Sequence, residues 1–197
     1  MKIKPISVLL ISAVLIVALV TEPGLADDKA RDRKTLQGIQ SLIVIVPPVE
    51  AEWQTELEKV GLSESRLQAD IEAQLENAGI RVVAEEASKR SEFEGILYVR
   101  LRFNDPEPAK KTFKSIDGKE EKIEVVDVKK KYIYAIRLNL RQLISLKRDP
   151  STDAFSITWQ AESVGMRRLP MIKDDIKRLV DVFIEAYSSE NPDLIKK

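Results

Sequence analysis

The chain of 197 residues contains no cysteine and no histidine. The first absence rules out a disulfide, a thiolate nucleophile and an anchor attached through a lipid-modified cysteine. The second removes the Ser-His-Asp triad, any His-bearing metal site and the side chain that most often acts as a general base near neutral pH. Glycine is scarce at seven residues, and no glycine-rich phosphate loop or nucleophile elbow occurs. A surplus of positive charge is missing as well, with 32 basic against 32 acidic residues. An enzyme built from this alphabet would depend on carboxylates, lysine, tyrosine or serine, as paired-carboxylate glycosidases do. The expectation is a non-enzymatic protein with no cofactor and no metal site.

Long apolar runs are missing too, except at the start. Lys2 and Lys4 precede an unbroken stretch from Ile6 to Val20, and Pro23, Gly24, Leu25 and Ala26 follow it. A basic start, an apolar centre and small residues before Ala26 form the three-part layout of a secretory signal peptide over residues 1–26, cleaved near Ala26. A retained membrane anchor is the rival reading, but a spanning helix wants about 20 apolar residues. The expected location is secreted or periplasmic, with membrane contact only through the signal segment before cleavage. From Asp27 on, the chain carries 30 basic residues (32 less Lys2 and Lys4) and 31 acidic ones (32 less Glu22). Nucleic acid is therefore not an expected partner. The length beyond the signal suits one domain, and without cysteine its stability in an oxidising compartment rests on packing alone.

Residues 27–40 are charged and without period at their start, and read as a flexible arm. "SLIVIVPPVE" follows. Leu42 to Val46 is apolar on both sides, the pattern of a central strand, and Pro47-Pro48 ends it. Ala51 to Val60 predicts a short helix with Trp53, Leu57 and Val60 on one side. A clearer helix starts at Ser63, whose side chain is placed to cap it. Leu62 and Leu67 have staple spacing, Leu67, Ile71 and Leu75 mark the apolar stripe, and Gly79 stands at the C-terminal cap. Ile80 to Val83 reads as a short strand, which makes Leu42 to Val83 a strand–helix–strand crossover unit.

Gly95 to Phe103 alternates as a half-buried strand. Residues 105–131 read as an exposed, mobile hairpin insertion with Asp117-Gly118 at its turn. Tyr132 to Leu146 is a long two-faced strand, with Tyr132, Tyr134, Ile136, Leu138, Leu140, Ile144 and Leu146 on one side. The other side carries Arg137, Asn139, Arg141, Ser145 and Lys147, and Gln142 interrupts the even face and Leu143 the odd one, where a bulge or bend is expected. Phe155, Ile157, Trp159 and Ala161 share one side of the next strand, joined to the last as an antiparallel hairpin. A helix from about Pro170 to Ser188 carries the stripe Ile172, Ile176, Leu179, Val180, Phe183 and Tyr187. The resulting expectation is an α+β domain over 41–192, a mixed, mostly antiparallel sheet with two main helices on one face, and a tail at 193–197.

The segments "LIVIVPP", "ENAGIRVV", "GILYVRLRF" and the tyrosine-bearing long strand resemble several bacterial envelope proteins. The later "SITWQAESVG" and "VDVFIEAYSSENP" resemble an uncharacterised group of secreted bacterial proteins. At fold level the order of elements is similar to the small α/β domain at the N-terminus of TolB and to outer-membrane assembly lipoproteins. The resemblance implies a fold and an envelope location; it brings no catalytic residue.

Four groups of residues are candidate sites. Arg100 and Arg102 on one strand and Arg137 and Arg141 on another share the face away from the helices, with Tyr98 and Asn139 near them. A planar guanidinium fork suits carboxylate and phosphate groups, so an anionic ligand fits this face; a solvated sheet surface with cross-strand ion pairs is the plainer reading. Trp159 and Trp53 are core aromatics or, for Trp53, a lid at a strand end. The acidic neighbours Asp174-Asp175, Glu85-Glu86 and Glu120-Glu121 point apart and form no ready metal or catalytic pair. The charged ribbon from Thr112 to Lys131 reads as partner contact or solvated loop. The preferred function is an exported envelope protein acting through protein contacts, with a partner protein or a second copy added at a sheet edge. The alternative is an anionic-ligand binder using the four arginines.

Overall fold

The computed structural model describes residues 24–25, 30–84, 94–104, 112–114, 120–122 and 131–195. In chain order the strands are β1 (Gly24–Leu25), β2 (Leu42–Ile45), β3 (Gly95–Asn104), β4 (Thr112–Lys114), β5 (Glu120–Lys122), β6 (Tyr132–Leu146) and β7 (Asp149–Arg167). The helices are α1 (Ala30–Arg33, continued by a 3-10 turn at Lys34–Leu36), α2 (Ala51–Lys59), α3 (Glu64–Asn77) and α4 (Leu169–Glu190). The main sheet has the order β1-β7-β6-β3-β2, and β2–β3 is its parallel pair. The fold is α+β with a mixed, mostly antiparallel sheet. As expected, β6 lies between β3 and β7.

Helix α3 forms where its sequence signals place it, though not by every device expected. Ser63 has the extended backbone of a cap, but its side chain makes no capping bond. The packing of Leu62 and Leu67, both buried, holds the entry instead. At the other end Gly79 adopts φ +82°, and the amides of Ile80 and Gly79 bond back to the carbonyls of Leu75 (3.0 Å) and Glu76 (2.9 Å). That is the Schellman closure, which a side chain at this φ would strain. Helix α4 begins with Pro170 in its first turn and buries Ile172, Ile176, Leu179, Val180 and Phe183. At roughly 1.5–3 kcal/mol for each buried large side chain, this stripe outweighs any contribution from its uncapped start.

The core is one cluster between the inner face of the sheet and helices α2, α3 and α4. Tyr132, Tyr134, Ile136, Leu138 and Leu140 face it from β6, as the alternation predicts. Trp53 belongs to it and is no lid: its ring packs against Phe103 and Tyr132 at 6.0 and 5.7 Å. Trp159 meets Phe183 edge-on at 5.1 Å. At Gly95 a Cβ would meet the methyl groups of Leu140 at 2.9 Å and Leu42 at 3.0 Å, so a larger residue there would require both side chains to shift.

Four expectations need correction. The β2 strand is not central: β3 flanks one side, and on the other the described residues make a single parallel bridge, Leu42 to Val82. Its apolarity on both sides reflects burial of both faces, with Ile43 at 1 % exposure pointing away from the helices. The expected strand at 80–83 shrinks to that bridge. The arm expected at 27–40 is docked rather than loose from Leu36 on: Leu36 and Ile39 are buried, Asn191 bonds the Leu36 carbonyl at 2.8 Å and the Gly38 amide at 2.7 Å, and the Tyr187 hydroxyl donates to the Ile39 carbonyl. Finally, Phe155 and Ile157 do not share the inward side with Trp159 and Ala161.

The reason for the last correction is a bulge. Leu140 pairs with Trp159 and Arg141 with Ile157, which leaves Thr158 as an extra residue in β7. An extra residue reverses the alternation beyond it. Trp159 and Ala161 point in; Ile157 and Phe155 point out and are 46 and 58 % exposed. The predicted irregularity near Gln142 thus exists, one pair earlier and in the partner strand. The β4–β5 ribbon is antiparallel, as the charged hairpin suggests, but its turn at 115–119 lies outside the described residues, as do residues 1–23 and 26 of the signal peptide expected at 1–26.

Candidate functional site

The face of the sheet away from the helices brings the four predicted arginines together. Arg100 pairs directly across from Arg137, Arg102 from Ala135, and Arg141 from Ile96. Their surroundings differ. The Arg137 guanidinium clasps both oxygens of Glu162, at 2.9 and 3.0 Å, across the β6–β7 pair. Drawn toward β7, its charge is offset, which relieves the like-charge opposition to Arg100. The Arg141 guanidinium lies 4.4 Å from the centroid of the Tyr98 ring, in cation–π range. Arg100 and Arg102 are exposed and make no ion pair among the described residues. Asn139 lies in the same field between Tyr98 and Gln160. It is only 6 % exposed, and its Oδ1 has no hydrogen-bond partner.

Geometry makes this a face and not a pocket. Grooves of about 490 Å³ between α3 and α4 and about 360 Å³ beside α2 lie among the helices, and no arginine lines either. Two arginines remain available to an anion; the other two are already engaged.

The same face carries apolar side chains that the sequence pattern did not group together. At one end Ile133 is 38 % exposed opposite Met166 at 54 %, with Val164 at 50 % beside them. At the other end, beyond the bulge, Leu143 and Phe155 stand opposite one another, each 58 % exposed. No residue of the hairpin beyond Leu140 and Trp159 is fully buried. The hairpin runs about 20 Å past them, at roughly 3.3 Å per residue. A signal for this lay in the chain: Ile133, Leu143, Val164 and Met166 interrupt positions that should be polar on a solvated face.

A second polar cluster is internal. Asp175, on the inward side of α4, is 2 % exposed. Its carboxylate accepts from the Tyr134 hydroxyl, pairs with Arg178 one turn on, and meets the Arg167 Nε at 3.0 Å. Two guanidinium groups and a phenol replace the water lost by the buried carboxylate, which is what burial of a charge requires. Burial foremost, and then the bond and charge of Asp175, push the Tyr134 phenol up to about 12. Gly165 fits under that phenol because a Cβ would meet its oxygen at 2.8 Å. The cluster is a clamp from α4 to β6 and β7. Asp174 points outward, so this acidic pair diverges as expected; Glu85-Glu86 and the side chains of Glu120-Glu121 lie outside the described residues, and no group of three acidic residues among those described is placed to hold a metal.

The sheet edges are partly occupied. The β7 edge pairs with Gly24–Leu25 at Ser163 and Val164, and the Thr35 hydroxyl approaches the Thr158 carbonyl at 3.1 Å. Among the described residues no helix is long and apolar enough to cross a membrane.

Neither the protein families nor the curated proteins compared with the chain match it. Solved structures do resemble it. The PelC dodecamer from Paraburkholderia phytofirmans aligns at TM-score 0.41 and 12 % identity, and a dodecamer of its single-residue variant at 0.42 and 13 %; each alignment covers 84 % of this chain and 97 % of PelC. A neuraminyllactose-binding hemagglutinin homologue from Helicobacter pylori aligns at TM-score 0.32 and 13 % identity, over 75 % of this chain and 77 % of the other. At these scores the likenesses carry no functional argument, and the resemblance to the TolB domain stays an expectation from sequence.

Proposed function

We propose that the protein is an exported, non-enzymatic envelope component that works through protein contacts made by the outer side of the β6–β7 ribbon. The observation that carries the reading is the pair Leu143 and Phe155, each 58 % exposed on a hairpin that extends past the core. Large apolar side chains grouped on an otherwise polar face mark contact surfaces. Export is supported by the layout of residues 1–26, and cleavage after Ala26 would remove Gly24 and Leu25 and free the β7 edge at Ser163 and Val164. The test is affinity capture of the exported protein from its own envelope, followed by mass spectrometry, with Phe155→Asp alongside. Partners or further copies are expected with the parent and at least tenfold less with the variant. A parent protein that recovers nothing above background overturns the reading.

A second reading rests on a separate observation. Arg100 and Arg102 are exposed and without ion-pair partners among the described residues, an arrangement suited to a carboxylate or phosphate. Binding of an anionic envelope component there predicts affinity lost in Arg100→Ala with Arg102→Ala. The same affinity in the double variant eliminates this reading.

A further inference from the structure

The outer side of the β6–β7 ribbon has an order that matches itself when reversed. Along it the cross-strand pairs run Ile133–Met166, Ala135–Val164 and Arg137–Glu162. They continue as Asn139–Gln160, Arg141–Ile157 and Leu143–Phe155. The middle of this sequence falls between the third and fourth pairs. Apolar ends thus flank a polar centre at equal spacing. The centre holds the Arg137–Glu162 pair next to Asn139 and Gln160.

We infer that this face is the contact surface for a second copy of the same chain, packed face to face about a two-fold axis that crosses the strands between Arg137 and Asn139. This deepens the contact reading above and rests on it. Under that axis Ile133 meets Leu143 of the other copy and Met166 meets its Phe155. Val164 meets Ile157. Arg137 comes opposite the other copy's Asn139 and not opposite a second cation. On β3, Arg100 comes opposite the row of Tyr98. The alternative axis, along β6, lays β3 over the other copy's β7 and stacks each β6 row on its own copy, Arg137 on Arg137. That juxtaposes like charges, and the crossed axis avoids it.

Size agrees with a modest dimer. Eleven rows at roughly 3.3 Å and three strands at roughly 4.8 Å cover about 500 Å² per copy, or about 1,000 Å² in total. This is the lower limit for a specific interface. A dissociation constant on the order of 10 µM is expected, since an area at that limit leaves little surplus over the cost of association.

The absence of cysteine makes the geometry testable by chemistry. In one copy Ile133 and Leu143 are ten residues apart on a single strand, about 33 Å, so a short bismaleimide cannot bridge them within a molecule. Packed sheets lie about 10 Å apart, within such a reagent's reach. In protein purified after export, the double variant with Ile133→Cys and Leu143→Cys should give a covalent dimer, and each single variant should stay monomeric. Sedimentation should show a reversible dimer in the parent, weakened at least tenfold in Phe155→Asp with an unchanged circular dichroism spectrum. A parent that is monomeric at 100 µM, or dimers captured by Ile133→Cys alone, overturns the pairing. If the purified protein is monomeric while envelope capture still depends on Phe155, the contact reading survives and this partner is wrong. A dimer in solution with nothing recovered from the envelope has the reverse meaning.

Discussion

The two halves of the β6–β7 ribbon use the same alternating code and end in opposite environments. In the half from Tyr132 to Leu140, with Trp159 to Arg167 beside it, large residues point into a core roofed by α2, α3 and α4. In the half from Arg141 to Ile157 the bulge at Thr158 has turned the alternation of β7 over, and Phe155 and Ile157 look outward. An aromatic at a strand position is thus core or exposed surface according to one unpaired residue between them. The difference also separates the two kinds of polar group. Asp175 beneath the first half must be fully paired because no water reaches it, whereas Arg137 outside is paired only loosely in energetic terms.

The sharpest way to break this contrast is to truncate one aromatic from each half. Trp159→Ala should cost about 3–5 kcal/mol in urea unfolding. Phe155→Ala should stay within about 0.5 kcal/mol, the usual range for a surface change. Equal costs would mean that the bulge does not divide the ribbon as described. Next in size, Asp175→Ala should cost about 3 kcal/mol, the low end for a broken buried pair, because Arg167 and Arg178 are partly exposed and can turn to water.

The Tyr134 phenol gives a smaller effect with a defined sign. Its folded value lies near 12 against an ordinary value of 10.0, so the folded state holds the proton more tightly than the unfolded chain. The stability it contributes is complete below pH 10 and is lost as pH rises from 10 toward 12. Tyr134→Phe should flatten this alkaline decline in a series of unfolding curves; an unaltered slope would remove the phenol from the account. The smallest effect belongs to the outer face. Arg137→Ala should change stability by no more than about 1 kcal/mol, less still at high salt, since the Glu162 pair is solvent-exposed. A larger loss would show that the outer face supports the fold after all.

Much of this architecture was legible in residue order. The stripe Ile172–Ile176–Leu179–Phe183 is the inward side of α4, the Gly79 cap closes α3, and the even positions of β6 from Tyr132 to Leu140 are buried. These depend on local period and backbone conformation, which neighbours in sequence decide. The burial of Leu36 was not legible, because charge in "DDKARDRK" says nothing about a groove beside α4 supplied by Asn191 and Tyr187 far along the chain. The outward turn of Phe155 was hidden for the same reason: the bulge is a property of pairing with β6, and β7 alone reads as one unbroken alternation.

The arginine face was placed correctly by alternation, yet alternation did not show that Arg137 and Arg141 are engaged by Glu162 and Tyr98, which come from neighbouring strands. Sequence by itself determined the kinds of element, which of their sides are oily, and the chemistry excluded by the lack of cysteine and histidine. Register, the place of β2 at an edge, the partners of Asp175 and the apolar ends of the outer face were decided only in three dimensions. Each depends on which distant residue lies across a strand or under a helix, and that is chosen by the packing of the whole chain at once.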